Sequence, residues 1–343
     1  MKKQFVLFIS ILLCSSLLSV AKGQGKTPVM TRKFTAASIK EVESSTSGGS
    51  LTLIGDAGSE AVVELYVSGK NWSNEKIKKE LDENYIIDIK VERGKLYATA
   101  KLKNRFTGWI SPGLSISFKI SVPKQVNSKL QTSGGSIQIS NLSGSQNFTT
   151  SGGSLSIENV SGNISGATSG GSITIVGSKD NIELRTSGGS ITAKDCSGKI
   201  ELKTSGGSLN LSNLRGNIKA STSGGSVSAN EIDGTLITGT SGGSVRINGF
   251  SGDIDAHTSG GSMDVKILSV SNYVKLSNSG KINLYLPAGK GYNMKVKGSN
   301  KISTSGLKDF RGNMDTRTLD GTIGKGGPEI NVKSSQQINL LFE

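Results

Sequence analysis

The sequence predicts an all-β fold: a single-stranded, parallel β-solenoid of 18-residue coils, with irregular strand-rich caps at its N- and C-terminal ends. Three observations predict it. The pentapeptide Thr-Ser-Gly-Gly-Ser recurs at a fixed spacing, and apolar residues fall at the same places in every repeat. The composition is also too poor in large side chains for an ordinary globular core: of 343 residues, 34% are apolar and 5% aromatic, while 46 are glycine. Such a chain is either disordered or built from a small repeating unit, and strict periodicity selects the second.

The pentapeptide begins at Thr46, Thr132, Thr150, Thr168, Thr186, Thr204, Thr222, Thr240 and Thr258, and from Thr132 to Thr258 every step is 18 residues. A degenerate copy, Ser277-Asn278-Ser279-Gly280-Lys281, follows after 19. Counting from each Thr, position 6 is Ile137, Leu155, Ile173, Ile191, Leu209, Val227, Val245 and Met263. Position 8 is Ile139, Ile157, Ile175, Ala193, Leu211, Ala229, Ile247 and Val265. Position 15 is Ile164, Ile182, Ile200, Ile218, Leu236 and Ile254, with Gln146 as an exception, and position 17 is usually Phe148, Leu184, Leu202, Ala220 or Ala256. Each repeat therefore holds two apolar-x-apolar runs, the period-two pattern of half-buried strands. Position 11 (Leu142, Val160, Cys196, Leu214, Ile232, Phe250) adds one inward residue at a bend. One repeat cannot bury these side chains alone, but stacking each strand on its equivalent, about 4.8 Å per step, supplies the missing layer. The interior is expected to be narrow and filled, with no room for a ligand.

The glycine pairs Gly134 and Gly135, Gly152 and Gly153, Gly170 and Gly171, Gly188 and Gly189, Gly206 and Gly207, Gly224 and Gly225, Gly242 and Gly243, and Gly260 and Gly261 are read as structural turns. They are expected to supply positive φ angles and to let successive turns approach closely. The neighbouring Ser and Thr hydroxyls are expected to satisfy turn backbone groups and form ladders between repeats. The pentapeptide lacks the Gly-Lys-Ser/Thr ending of a phosphate loop and the regular aspartates of calcium-binding repeats. A repetitive hydroxyl face that binds glycan or ice is the alternative reading.

The flanks differ in kind. Residues 1–23 read as a signal peptide, with Lys2 and Lys3 before the apolar run Phe5 to Val20 and cleavage after Ala21 or Gly23. A retained anchor, or a lipoprotein using Cys14, is the lesser reading, since Leu13 precedes that cysteine. Residues 24–131 are expected to form an N-terminal capping region, with strands at Ala61–Ser68, Tyr85–Glu92, Lys95–Lys103 and Leu114–Val122. A short helix at Asn74–Glu83 carries Glu75/Lys79 and Lys76/Glu80 pairs. Residues 132–276 are the solenoid of eight repeats, and residues 277–343 form C-terminal coils and a cap with strand patterns at Ile282–Leu286, Met294–Lys297 and Ile330–Lys333.

Charge follows this division. Residues 132–274 carry nine Lys/Arg against ten Asp/Glu, whereas residues 70–131 carry 13 against six and residues 275–343 carry 11 against five. Basic ends either repel one another, preventing end-to-end stacking, or attract an anionic surface such as acidic polysaccharide. Nucleic acid is not an expected partner, because no basic stripe is interleaved with aromatics.

The residues offer little chemistry. His257 is the only histidine and occupies an outward position; Cys196 is read as a small apolar filler, and with Cys14 removed it has no disulfide partner. No catalytic residue, cofactor site or metal site is expected. The best acidic pair is Glu183 and Glu201, at position 16 of adjacent repeats, near the separation of a retaining glycosidase pair. Arg185, Lys203 and Lys219 surround them, however, and lower carboxylate pKa values where a general acid needs one raised. The candidate interaction loop is Arg105-Phe106-Thr107-Gly108-Trp109-Ile110-Ser111-Pro112-Gly113, with Arg105, Phe106 and Trp109 as its candidate contacts, read either as a sugar- or protein-binding tip or as a plug on the end of the rod.

Ser-Val-Pro-Lys-Gln-Val at 121–126 leading into the repeats, and Gly-Gly-Pro-Glu-Ile-Asn-Val at 326–332, complete a pattern. With the signal segment and the strand-rich N-terminal part, it resembles the bacterial "putative adhesin" β-strand-repeat family, whose function is unknown and which is common in Bacteroidetes envelopes. The resemblance implies a right-handed β-solenoid and an envelope or surface location: periplasm, outer-membrane surface or extracellular. The expected function is non-enzymatic binding of glycan or cell-surface partners, with an anionic glycan as the candidate ligand. A self-associating envelope scaffold is the alternative, and a carbohydrate-active enzyme is a distant third.

Overall fold

The computed structural model describes residues 27–56, 58–69, 72–103 and 113–343. It is all-β. The strands among these residues are hydrogen-bonded into one continuous sheet, with a single α-helix at Asn74–Asn84 and a 3-10 turn at Ala36–Ser38.

Each early repeat contributes a short strand (Ile137–Ser140, Leu155–Glu158, Ile173–Val176, Ile191–Lys194) and a longer one (Ser143–Thr149, Ser161–Thr168, Lys179–Thr186, Ser197–Lys203). From Leu209–Ser221 through Val227–Thr240, Val245–Thr258 and Met263–Asn278 the two merge into one strand that runs around the corner. Partners are parallel and one repeat apart: Leu155, Ile173, Ile191 and Leu209 form one column, and Ile164, Ile182, Ile200 and Ile218 another. Both columns are buried. The period-two pattern thus turns apolar residues onto one face of each strand, and parallel pairing stacks them.

Interior columns are not chemically uniform. Gly166 takes position 17 beside the ring of Phe148, and a Cβ there would lie 2.3 Å from Phe148 Cε2. Gln146 is fully buried, donating from Nε2 to the Val126 carbonyl at 2.7 Å and accepting from Ser128 Oγ at 2.5 Å. The exceptional glutamine is therefore a satisfied core residue, because Ser128 on the neighbouring strand and Val126 just before it supply its partners.

The turn glycines require a correction. None of the sixteen lies in the left-handed region; the left-handed residues are elsewhere in the repeat. Position 10 is left-handed at Asn141, Asn159, Gly177, Asp195, Asn213, Glu231 and Gly249, and position 13 at Gly144, Gly162, Asp180, Gly198, Gly216, Gly234 and Gly252. These two positions make the corner between the strands, and Asn, Asp and Gly dominate them because they tolerate that conformation best. The second glycine of each pair answers to close approach alone. A Cβ on Gly153 would sit 1.9 Å from the Gly135 carbonyl oxygen, and the same clash recurs up the column to 2.5 Å at Gly261. The first glycine is roomier, at 3.7 Å for Gly152 and Gly170, and tightens gradually along the column to 2.6 Å at Gly260.

The Thr that opens each turn is buried and doubly bonded. Thr168 Oγ1 donates to the Gly153 carbonyl of the preceding turn at 2.8 Å and accepts from the Gly171 amide of its own turn at 3.3 Å. Thr150, Thr186, Thr204, Thr222 and Thr240 repeat both bonds. Where the repeat degenerates the chemistry persists: Asn278 donates to the Gly261 carbonyl and accepts from the Gly280 amide, and Ser334 Oγ donates to the Gly280 carbonyl. A serine ladder runs alongside, with the Ser208, Ser226 and Ser244 amides each donating to the serine hydroxyl one repeat earlier.

Parallel pairing continues into both flanks and becomes antiparallel at the ends. On the N-terminal side, Leu51–Gly55 bridges Ile137–Ser140 and Leu114–Val122, which then pairs antiparallel with Glu60–Gly69 and so to Met30–Thr35. Glu41–Ser45 likewise bridges Asn127–Gln131 to Lys95–Leu102 and, antiparallel, Tyr85–Glu92. On the C-terminal side the order departs from the sequence, since Glu329–Ser334 inserts between Met263–Asn278 and Tyr292–Gly298. Thr318–Ile323 and Phe310–Met314 close that edge in antiparallel pairing. The helix is capped by Ser73 and buries Leu81. Its observed ion pair is Lys79–Glu83, not the two pairs expected from spacing, and Lys76 instead lies over the Trp72 ring, 4.3 Å from its centroid.

The two glycines of a turn are thus predicted to differ sharply. Gly171→Ala should lower unfolding stability by about 2–4 kcal/mol, since it drives a methyl into backbone, while Gly170→Ala should change it by less than about 1 kcal/mol. Urea unfolding of the two variants checks this; equal effects would contradict it.

Candidate functional site

The sequence-predicted acid pair is brought together as expected. Glu183 and Glu201 are direct parallel partners, and Lys219 continues the column. Glu183 forms an ion pair with Arg185 across its own strand, and both side chains are about half exposed (46% and 62%). Parallel neighbours at about 4.8 Å with cations alternating around them form a solvated charge ladder. Neither carboxylate sits in apolar surroundings.

Cys196 is buried, and its Sγ donates to the Lys194 carbonyl at 3.1 Å. Burial pushes its thiol above the ordinary range, partly offset by backbone hydrogen bonds. A thiol so placed has a reduced thiolate fraction and behaves as core filler. His257 is exposed and its ring lies flat on Gly239, where a Cβ would come within 2.2 Å of Cε1. Arg105, Phe106 and Trp109 lie outside the described residues. Among the described residues no group of three His, Cys, Asp or Glu side chains converges on a point that would hold a metal. No helix among them is long and apolar enough to cross a membrane.

Concave surface is concentrated near the two ends. A groove of about 890 Å³ runs between the helix and the start of the described chain, lined by Val29, Val67, Ile77 and Leu81. At the other end, one of about 610 Å³ lies among glycine-rich loops carrying Lys290, Lys308, Asp309 and Lys325. A third, of about 380 Å³, is lined mainly by hydroxyls, such as those of Ser259, Ser277 and Ser335, and by Lys297 and Lys333, with the His257 ring beside them. Sequence reasoning did not find this last group. Its lysines come from strands that are adjacent in space but separated in the chain, in a region where the pentapeptide no longer recurs.

No family model matches this chain, and no curated protein matches it. Solved structures similar to this chain at low identity include two adhesion-type proteins. One is described as a "putative cell adhesion protein" from Clostridium sporogenes, with 12% identity, a TM-score of 0.20, and coverage of 92% of this chain and 100% of the other. The second is described as a "putative adhesin" from Bacteroides fragilis, with 14% identity, a TM-score of 0.34, and coverage of 76% and 99%.

The Cys196 environment makes a direct prediction. The native thiol should resist a disulfide-exchange reagent at mildly alkaline pH and react promptly once the chain is unfolded in denaturant. Rapid stoichiometric labelling of the native protein would contradict the buried placement.

Proposed function

We propose that the chain is an exported, non-enzymatic binding protein whose parallel repeats wind a β-solenoid of 18-residue coils, right-handed as its resemblance to the adhesin-type repeat family implies. The observation that carries the reading is the in-register stacking itself. It commits the interior to apolar side chains and projects Ser, Asn, Lys and Glu outward in rows at strand spacing. A surface with one polar group about every 4.8 Å along an axis is matched to a repetitive polymer, such as a surface glycan, rather than to one small molecule. The hydroxyl and cation groove at Lys297 and Lys333 supports an acidic ligand. The exposed, ion-paired setting of Glu183 supports a structural role for that acid, so the carbohydrate-active reading is not favoured. Export rests on residues 1–23, which read as a signal peptide in sequence, and an envelope or extracellular location follows from it.

The purified chain is expected to bind a subset of immobilised surface glycans or whole cells, with binding that weakens as salt rises because cations are involved. Glu183→Gln and Glu201→Gln should leave that binding unchanged, and neither the wild type nor the variants should depolymerise any bound glycan. Turnover abolished by either substitution would overturn the non-enzymatic reading, and the absence of any glycan or cell binding would overturn the adhesive one.

A further inference from the structure

Several exposed cations on the sheet are answered by carboxylates. Lys33 meets Glu60, Lys95 meets Glu41 and Glu43, Lys119 meets Glu64, Arg185 meets Glu183 and Lys266 meets Glu343. The hydrogen bond from Lys95 is the main reason the Glu43 carboxyl is held below the usual carboxylate range. Lys297 and Lys333 are among the cations that are not so answered. They are direct partners on neighbouring parallel strands, both exposed, and among the described residues neither has a carboxylate within ion-pairing distance.

Reading across the strands, the row runs His257, Ser277, Lys333, Lys297, Thr318, with no acid in it. The adjacent outward row runs Asp255, Lys275, Asn331, Lys295, Asp320, in which two acids balance two lysines. Like charges placed directly opposite destabilise a sheet, so the first row bears a repulsion that the second avoids. An anion seated between the two ammonium groups would relieve it.

The surroundings define what kind of anion. The groove of about 380 Å³ over this row adds the hydroxyls of Ser259, Ser277 and Ser335, and its lining contains no carboxylate and no large apolar side chain. Hydroxyls beside a cation pair suit the hydroxyls and the acidic substituent of a sugar ring. The lining has no Phe, Tyr or Trp face on which a base would stack and no apolar wall to take an acyl chain.

We infer that the row Ser277–Lys333–Lys297, with the groove above it, is a binding site for the carboxylate or sulfate group of an acidic glycan. The inference deepens the adhesive reading above and rests on it. Lys297 and Lys333 hold the acidic substituent, and the serine hydroxyls exchange hydrogen bonds with neighbouring sugar hydroxyls. His257, lying over Gly239, closes the groove on the side of the repeats.

The test measures binding of a short oligogalacturonate, a sulfated dextran fragment, neutral dextran and inorganic sulfate to the purified chain and to the double variant Lys297→Gln/Lys333→Gln. At least one acidic oligosaccharide should bind and lose about tenfold or more in affinity in the double variant, a loss of about 1.4 kcal/mol per tenfold. Neutral dextran should not bind, and inorganic sulfate should bind far more weakly than the oligosaccharide. The ligand-free double variant should melt at the same temperature or higher in low-salt buffer, because a repulsion has been removed. A control triple variant, Lys290→Gln/Lys308→Gln/Lys325→Gln, should retain binding. The site is overturned if the double variant binds as wild type does, if its loss of binding accompanies a lower melting temperature, if the control triple variant loses the binding instead, or if neutral dextran or sulfate binds equally well. Glycan or cell binding that survives in the double variant removes this site but leaves the adhesive reading standing; a wild-type chain that binds no glycan and no cell removes both.

Discussion

The second glycine of each turn fixes how closely one turn can stack on the next. Its missing Cβ leaves room for the carbonyl oxygen of the turn beneath, about 2 Å from where a methyl would lie, and so the backbones of successive turns touch without a side chain between them. The Thr three residues earlier then locks that approach, donating to the lower turn and accepting from its own. Everything else in the stacked region follows from this register. Once one turn sits on the next, the strands on either side are aligned as parallel partners and their apolar positions become columns.

That constraint also explains how a chain with few aromatic residues sustains a core. Each column buries one modest side chain per repeat, and several columns in parallel bury many, so little depends on any single large residue. Variation within a column is absorbed locally: Gly166 makes room for Phe148, Thr238 bonds the Ala220 carbonyl, and Gln146 meets Ser128 and the Val126 carbonyl. The bracket formed by Thr passes to Asn278 and then to Ser334 where the repeat degenerates, which keeps the turn column continuous after the period itself has been lost.

Much of this was legible in the sequence because the signals are periodic. The inward positions, the helix near Asn74 and the strands at Tyr85–Glu92, Leu114–Val122 and Ile282–Leu286 follow from local patterns. The role of the glycine pairs was half legible: spacing marked them as turns, but spacing does not distinguish a residue needed for its φ angle from one needed for its small size. The left-handed corner was present in the sequence as a second column, Gly144, Gly162, Gly198, Gly216, Gly234 and Gly252, whose regularity is hidden beside the more obvious pentapeptide. The Lys297 and Lys333 row was not legible at all. It exists only because Glu329–Ser334 inserts between two strands that precede it in the chain, and no local pattern announces that order. The acid pair shows the reverse case, in which adjacency was correctly inferred and the surroundings decide against chemistry.

The measurement that tests the stacking most directly is a series of electron–electron distances between spin labels placed along one exposed column. With Cys196 replaced by Ala, one label at Ser156 is paired in turn with one at Asn210, Ser228 and Arg246, which lie three, four and five repeats away in the parallel register. The account predicts backbone separations of about 14, 19 and 24 Å, rising by one strand spacing per repeat. Distances that do not grow by a constant step, or that shrink along the series, would contradict it.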